Sequence, residues 1–388
     1  MTEGAGKPAR RSVLRAAAGA AMGWAAPAWT QTDAGPASAW PAWRAFQAQF
    51  VGEGGRVTAD PQGQTYSEAQ SYALFFALVA NDRKRFEQLL RWTEDNLCAG
   101  DLTTRLPAWL WGKRQDGTWG VIDDNAASDA DLWIAYALAE AGRLWNERRY
   151  RALAALLAAR IVREETADLP GLGTTLLPAP RGFAPQGGPW RLNPSYMPLQ
   201  LMQGLGSATG EPVWKQLAAS SLRVLAESAP RGFSPDWTAY DTRDGRQGFH
   251  IDTEAKDRGQ GAYNAIRVYL WAGMLHPEAE GRGPLLRALA PMARFVRERG
   301  YPPESIDILT GQASGPAPSG FSAALLPFLQ ASGEADALRM QQLRLDARAP
   351  RPDAYYEQCL TLFGQGWMDG AYRFDSGGRL LPRWKAAT

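Results

Sequence analysis

The stretch GAYNAIRVYLW, residues 261–271, carries the pattern that decides the fold. Small and polar residues open it, with Asn264 among them, and an amphipathic run follows as far as Met274. That spacing predicts a helix starting near Gly261. Working outward, about twelve segments share the helical period. They begin near Trp40, Ser67, Arg83, Asp129, Arg148, Pro198, Val213, Gly261, Pro284, Phe321, Glu334 and Asp353. Gaps rich in Gly, Pro and Asp separate them, as at 169–174, 185–189, 241–249 and 311–320. Strand-like alternation is scarce. One short hairpin is expected within 101–125, where Trp109-Leu110-Trp111 and Trp119-Gly120-Val121 flank Gln115-Asp116-Gly117. No Pro/Ser linker divides the chain. The expected class is all-α, a single domain of paired helices. Twelve helices alternating as inner and outer members would close into an (α/α)6 barrel, or toroid. Loops at one end of such a barrel frame a groove.

Hydrophobic residues make up 45% of the 388 and charged residues 21%, a globular balance that suits one large domain or two ordinary ones. The formal charge is +2, but Lys7, Arg10, Arg11 and Arg15 lie in residues 1–28 against Glu3 alone. Without that segment the chain is near −1, so no basic face suggests a nucleic-acid partner. The 16 Trp are the outlying number. A buried indole N–H needs a partner, so a core rarely uses so many. Flat, half-polar side chains in this number suit stacking on sugar rings, although part of the set must be core.

Arg10-Arg11-Ser12-Val13-Leu14-Arg15, the Ala-rich run to Ala26 and Ala26-Pro27-Ala28 read as a Tat-like signal peptide over 1–28. Residues 29–388 are then the mature chain, and periplasmic or secreted location is expected. No run is long and apolar enough for a membrane span. Cys98 and Cys359 are expected to be ordinary buried thiols, although export would permit a disulfide. With only His250 and His276, a His-rich or Cys-rich metal site is excluded, and no cofactor is implied. No nucleophile elbow or Gly-rich phosphate loop is present.

Two acidic segments stand out beside the opening stretch. Tyr66-Ser67-Glu68-Ala69-Gln70-Ser71-Tyr72 puts Glu68 in a helix's first turn, with Ser67 as a candidate N-cap. Ala127-Ser128-Asp129-Ala130-Asp131 does the same for Asp129 and Asp131 behind Ser128. First-turn carboxylates are common helix-dipole partners. Two acids one residue apart point to different faces, so one can face a groove while the other meets a neighbour.

The Ser-Asp-Ala-Asp segment ending at Trp145, the Ser-Glu-Ala-Gln-Ser-Tyr segment and Asn193-Pro194-Ser195-Tyr196 together resemble glycoside hydrolase family 8. The likeness is strongest to the periplasmic endoglucanases of bacterial cellulose synthesis. Leu106–Gly112, Gly232–Trp237, Gly300–Pro303, Gly320–Ala324 and Leu360–Trp367 carry it, over roughly Trp40 to Trp384. The resemblance implies an (α/α)6 barrel and inverting endo-β-1,4-glucanase (cellulase) action on internal bonds. An inverting enzyme needs an acid on the leaving oxygen and a base on a water across the ring. By the resemblance Glu68 is the acid, Asp129 binds the sugar at the cleavage point, and Tyr196 positions the water. Asn264 occupies the base position, flanked by Tyr263 and Arg267. Trp109, Trp111, Trp133 and Trp237 are candidate stacking platforms. The implied partners are cellulose or another β-1,4-glucan and the cellulose synthase complex.

Two residues depart from the family. Ala69 replaces a Gly. Asn264 replaces an Asp, and an amide has no basic oxygen at useful pH. One outcome is a base displaced to Asp241, Asp244, Asp252, Glu254 or Asp257. Another is a weakened or inactive β-glucan-binding accessory protein, and a third is an engineered substrate trap. Chitosan, xylan or mixed-linkage glucan are the alternative substrates.

Overall fold

The helices alternate between two kinds. Those of one kind bury more than half of their residues, and in Ser67–Val79, Ser128–Leu144, Ala265–Gly273 and Ser319–Ala331 nearly all. The others are amphipathic and bury one stripe. The computed structural model describes residues 40–385, apart from residues 246 and 257 and the side chain of Asp244. The predicted signal peptide lies outside the described residues.

Twelve α-helices occupy the described residues: α1 (Pro41–Phe50), α2 (Ser67–Val79), α3 (Arg83–Leu97), α4 (Ser128–Leu144), α5 (Arg148–Glu164), α6 (Leu199–Thr209), α7 (Val213–Glu227), α8 (Ala265–Gly273), α9 (Arg282–Arg299), α10 (Ser319–Ala331), α11 (Ala335–Ala347) and α12 (Tyr355–Met368). In α4 every residue but Arg143 is buried. In α3 only Phe86, Leu89, Leu90, Thr93 and Leu97 are, at the spacing of one helical face. The even-numbered helices pack in succession, α2 on α4, then α6, α8, α10 and α12. Phe363 of α12 meets Phe75 and Phe76 of α2, with ring centroids 5.6 and 4.6 Å apart. Each odd-numbered helix from α3 to α11 packs on the even one before it, and α1 on α12.

Twelve short strands accompany the helices, more than the sequence suggests. They are β1 (Thr65–Tyr66), β2 (Leu110–Lys113), β3 (Trp119–Asp123), β4 (Thr166–Leu169), β5 (Gly173–Leu176), β6 (Trp190–Leu192), β7 (Thr238–Asp241), β8 (Gly248–Ile251), β9 (Gln260–Gly261), β10 (Ile306–Asp307), β11 (Tyr372–Phe374) and β12 (Leu380–Pro382). They form five small antiparallel sheets in the connections. Two to five residues are too few to show a period in sequence. The expected hairpin is β2–β3, joined by β1.

Local corrections follow from tertiary contacts. Ser67 and Ser128 are the first helical residues, and Tyr66 and Ala127 are the caps. The serines' backbone N–H groups go instead to the carbonyls of Trp109 and Pro178. The helix expected from Gly261 begins at Ala265, because Gln260–Gly261 pair with Ile306–Asp307. The Asp236 Oδ1 then accepts N–H bonds from Ala262, Asn264 and Ala265 at 2.8, 3.1 and 2.7 Å. Trp133 is no platform. It is fully buried against Tyr72, Phe75, Tyr136, Trp271 and Phe363, so no face is open to a sugar. Cys98 and Cys359 are buried and unpaired. No helix among the described residues is long and apolar enough to cross a membrane.

Helix α12 approaches α10 closely at Gly364, where an added Cβ would lie 1.9 Å from the Ala323 carbonyl oxygen. A methyl there must push the two helices apart. Gly364→Ala is therefore expected to destabilise the fold by about 1–3 kcal/mol, the usual cost of overpacking. Urea denaturation monitored by tryptophan fluorescence measures it.

Candidate active site

The start of α2 is fixed from outside the helix. Thr65 and Tyr66 pair with Trp111 and Leu110, so the β2–β3 hairpin is stitched to the turn that carries Glu68. This brings the Trp109 indole Nε1 to Glu68 Oε1 at 3.3 Å, while the Ser67 hydroxyl reaches Oε2 at 3.4 Å. The Tyr66 ring leans on Trp109 with centroids 5.8 Å apart.

Asp129, in the first turn of α4, is 1% exposed. Its Oδ1 accepts the Ala130 N–H and its Oδ2 accepts Arg267 Nη1 at 2.9 Å. The same Nη1 donates to the Tyr72 hydroxyl at 2.8 Å. Nη2 donates to Ser195 Oγ at 2.9 Å and Asn264 Oδ1 at 2.7 Å. Tyr196 places its ring 5.6 Å from the guanidinium carbon. Ser195 and Tyr196 sit on the short 3-10 turn Pro194–Tyr196, held by Asn193 Oδ1, which accepts both the N–H and the hydroxyl of Ser195.

Burial, and then the nearby negative charge of Asp129, push the Glu68 carboxyl up to about 8. Burial also raises Asp129, but Arg267 opposes that shift through charge and a hydrogen bond. The cation therefore assigns the charge: Asp129 is the carboxylate and Glu68 keeps the proton at neutral pH. Behind them Asp131 faces Glu165. Both are fully buried, and no donor group reaches any of their four carboxyl oxygens among the described residues. Burial, the largest cause for each, pushes both carboxyls well above the ordinary carboxylate range.

Asn264 is bound through its oxygen, since a guanidinium has only donors. What remains to it is an NH2 group, a donor. Of the upstream acids, Asp241 is paired with Arg243 and Asp252 with Arg191, while Glu254 is exposed. Asp257 and the Asp244 side chain lie outside the described residues. Trp109 and Trp237 are half-buried. Trp111 shares its ring surface with Trp119, 5.3 Å away and 26° from parallel, and with Arg56 at 4.3 Å. Tyr263 is exposed and hydrogen-bonds Glu304 rather than the arginine. Sequence reasoning missed Asp236 and Tyr356. The Tyr356 hydroxyl donates to the Tyr263 carbonyl, and the half-buried side chain feels the charges of Arg267 and Asp129. Asp236 lies inside the Gly232–Trp237 motif, but its task, like that of Tyr356, shows only once α8 is placed beside it.

Residues 20–370 match the family model for glycosyl hydrolases family 8. The chain belongs to that family. An endoglucanase of Salmonella typhi is 48% identical to this family 8 chain, over 92% of this chain and 94% of the relative. An endoglucanase of Xanthomonas axonopodis pv. citri (strain 306) is 44% identical, over 97% of each. Among solved structures, the endo-1,4-D-glucanase from Vibrio fischeri ES114 superposes with a TM-score of 0.82 at 44% identity, covering 89% of this chain and 99% of that one. This family 8 glycosyl hydrolase therefore gathers side chains from α2, α4, the 194–196 turn and α8 around one guanidinium.

Removing that cation leaves a buried carboxylate unpaired. Arg267→Gln is expected to lower unfolding free energy at pH 7 by about 3–5 kcal/mol. The deficit shrinks as pH falls and Asp129 takes up a proton, which urea titrations at several pH values measure.

Proposed function

We propose that this chain is an exported endo-β-1,4-glucanase that cleaves internal bonds of cellulose with inversion, on an (α/α)6 barrel whose inner ring is the even-numbered helices. The observation that carries the chemistry is the contrast between two neighbouring carboxyls, Glu68 protonated up to about pH 8 and Asp129 held charged by Arg267. Glu68 donates its proton to the leaving glycosidic oxygen. Asp129 binds the sugar at the cleavage point and stabilises the positive charge that develops there. Tyr196 orients the attacking water, and Trp109 and Trp237 stack on sugar rings along the groove. The twin-Arg leader supports export, and the strong likeness to endoglucanases supports the substrate class. Trimming of nascent cellulose beside a synthase complex is the biological setting this suggests.

An inverting reaction must also take a proton from the water. Asn264 cannot accept one, and its oxygen is already engaged by Arg267. Asp241 and Asp252 are each committed to an arginine. A displaced base is then left to Asp244, Glu254 or Asp257, and without one the water's proton goes to solvent and turnover is slow. That arrangement favours, as the second role, a glucan-binding accessory protein with residual hydrolysis.

Asn264→Asp is expected to raise kcat on carboxymethylcellulose by about 10²–10⁴-fold, the usual worth of a general base. Reducing-end release measures it, and an unchanged rate would point to a base elsewhere. Glu68→Gln should abolish release in either background. The sign of the pH dependence follows from a raised acid: Glu68 is active while protonated, so kcat holds below about pH 8 and falls about tenfold per unit above it. A pH–rate profile of the Asn264→Asp chain tests the alkaline limb.

A further inference from the structure

The line of rings leading away from Arg267 does not stop at Tyr196. Trp237 lies 6.2 Å from it, and Phe183 lies nearly parallel to Trp237, with 7° between planes and centroids 5.6 Å apart. The guanidinium carbon of Arg191 is 5.5 Å from the Phe183 ring and 5.6 Å from Trp237, so it straddles the pair. None of Phe183, Arg191 and Asp252 takes part in the proposed proton transfers.

The sheet β6–β7–β8 builds the cluster. Arg191 pairs with Ala239 and Thr238 with Ile251, so Trp237 precedes one end of the central strand and Asp252 follows its neighbour at the same end. The Arg191 N–H donates to the Phe183 carbonyl at 2.9 Å, which ties the Phe183 loop to β6. Arg191 Nε donates to Asp252 Oδ2 at 2.7 Å, and Asp252 is 1% exposed. The second Asp252 oxygen accepts the Glu254 N–H at 2.9 Å. Both carboxylate oxygens are thus used within the protein. Arg191 has the opposite character. Its side chain is 25% exposed, and neither of its amino groups has a protein partner among the described residues or is a buried orphan.

An arginine fixed at Nε with two free amino groups beside a pair of aromatic rings is suited to a neutral sugar. The rings meet the C–H face of a pyranose and the amino groups meet its hydroxyls. The ion pair to the buried Asp252 fixes the side chain in advance, so little conformational freedom is lost on binding. We propose that Phe183, Trp237 and Arg191 form a glucosyl subsite beyond Tyr196, with Asp252 as its positioning residue. The subsite rests on the glucanase function proposed above. It also gives Asp252, one of the acids considered as a displaced base, a different task.

The test uses the full chain carrying Glu68→Gln, so that oligosaccharides stay intact during calorimetry. That parent is expected to bind cellohexaose. Phe183→Ala and Arg191→Met, made in it separately, should each weaken that affinity about tenfold, the scale of a lost charge-assisted hydrogen bond or stacking contact. Unchanged affinity in both variants, with each folded by circular dichroism, overturns the subsite. In the chain that retains Glu68, Asp252→Asn should raise KM for carboxymethylcellulose several-fold with kcat kept. Collapse of kcat at saturating substrate overturns the positioning role and makes Asp252 a catalytic residue. A parent that binds no cellohexaose removes the glucanase function and the subsite together, and this is seen before any subsite variant is compared.

Discussion

The Arg267 guanidinium joins Asp129 on α4, Tyr72 on α2, Ser195 on the 194–196 turn and Asn264 at the head of its own helix. Each of these elements is packed for its own reasons, and the cation joins their side chains at one point. A buried guanidinium without a carboxylate is costly, and so is the reverse. The pair therefore makes the positions of α4 and α8 depend on each other. The same contact decides which of two neighbouring carboxyls carries charge, and so which one holds a proton to give away.

The surroundings show how the chain tolerates such a cluster. Three acids, Glu68, Asp131 and Glu165, lie near Asp129, and a single arginine cannot neutralise them all. Burial pushes the carboxyls of the others upward, which favours their neutral forms. A second carboxylate, Asp236, is balanced in another way, by three backbone N–H groups at the head of α8. That turn of backbone holds Asn264 in place whether or not its side chain can act as a base. The frame around the position is thus complete, while the group within it is an amide.

Much of this was legible in the chain. The helix starts read from spacing lie close to those found, and the largest offset is at α8, expected from Gly261 and found from Ala265. Glu68, Asp129, Tyr196, Asn264 and Arg267 lie within short motifs, and the structure draws them together. Trp133 was misread because its neighbours in sequence are site residues, whereas its side chain points into the core. Asp236, Tyr356, Phe183 and Arg191 were missed because nothing in their own sequence neighbourhood marks the task each performs. Their partners lie many residues away: Asp236 meets α8 from 28 and 29 residues upstream, and Arg191 meets Asp252 across 61.

By itself the sequence determined the number and order of the helices, because burial on one face or on all faces is written in the apolar period. It also determined the chemical identity of residue 264, which no folding can change. Tertiary structure alone decided which carboxyl is charged, which tryptophan faces solvent, and which upstream acid is already held by an arginine. Those depend on distance, burial and the sharing of hydrogen bonds among side chains far apart in the chain. Such quantities exist only once the helices are packed.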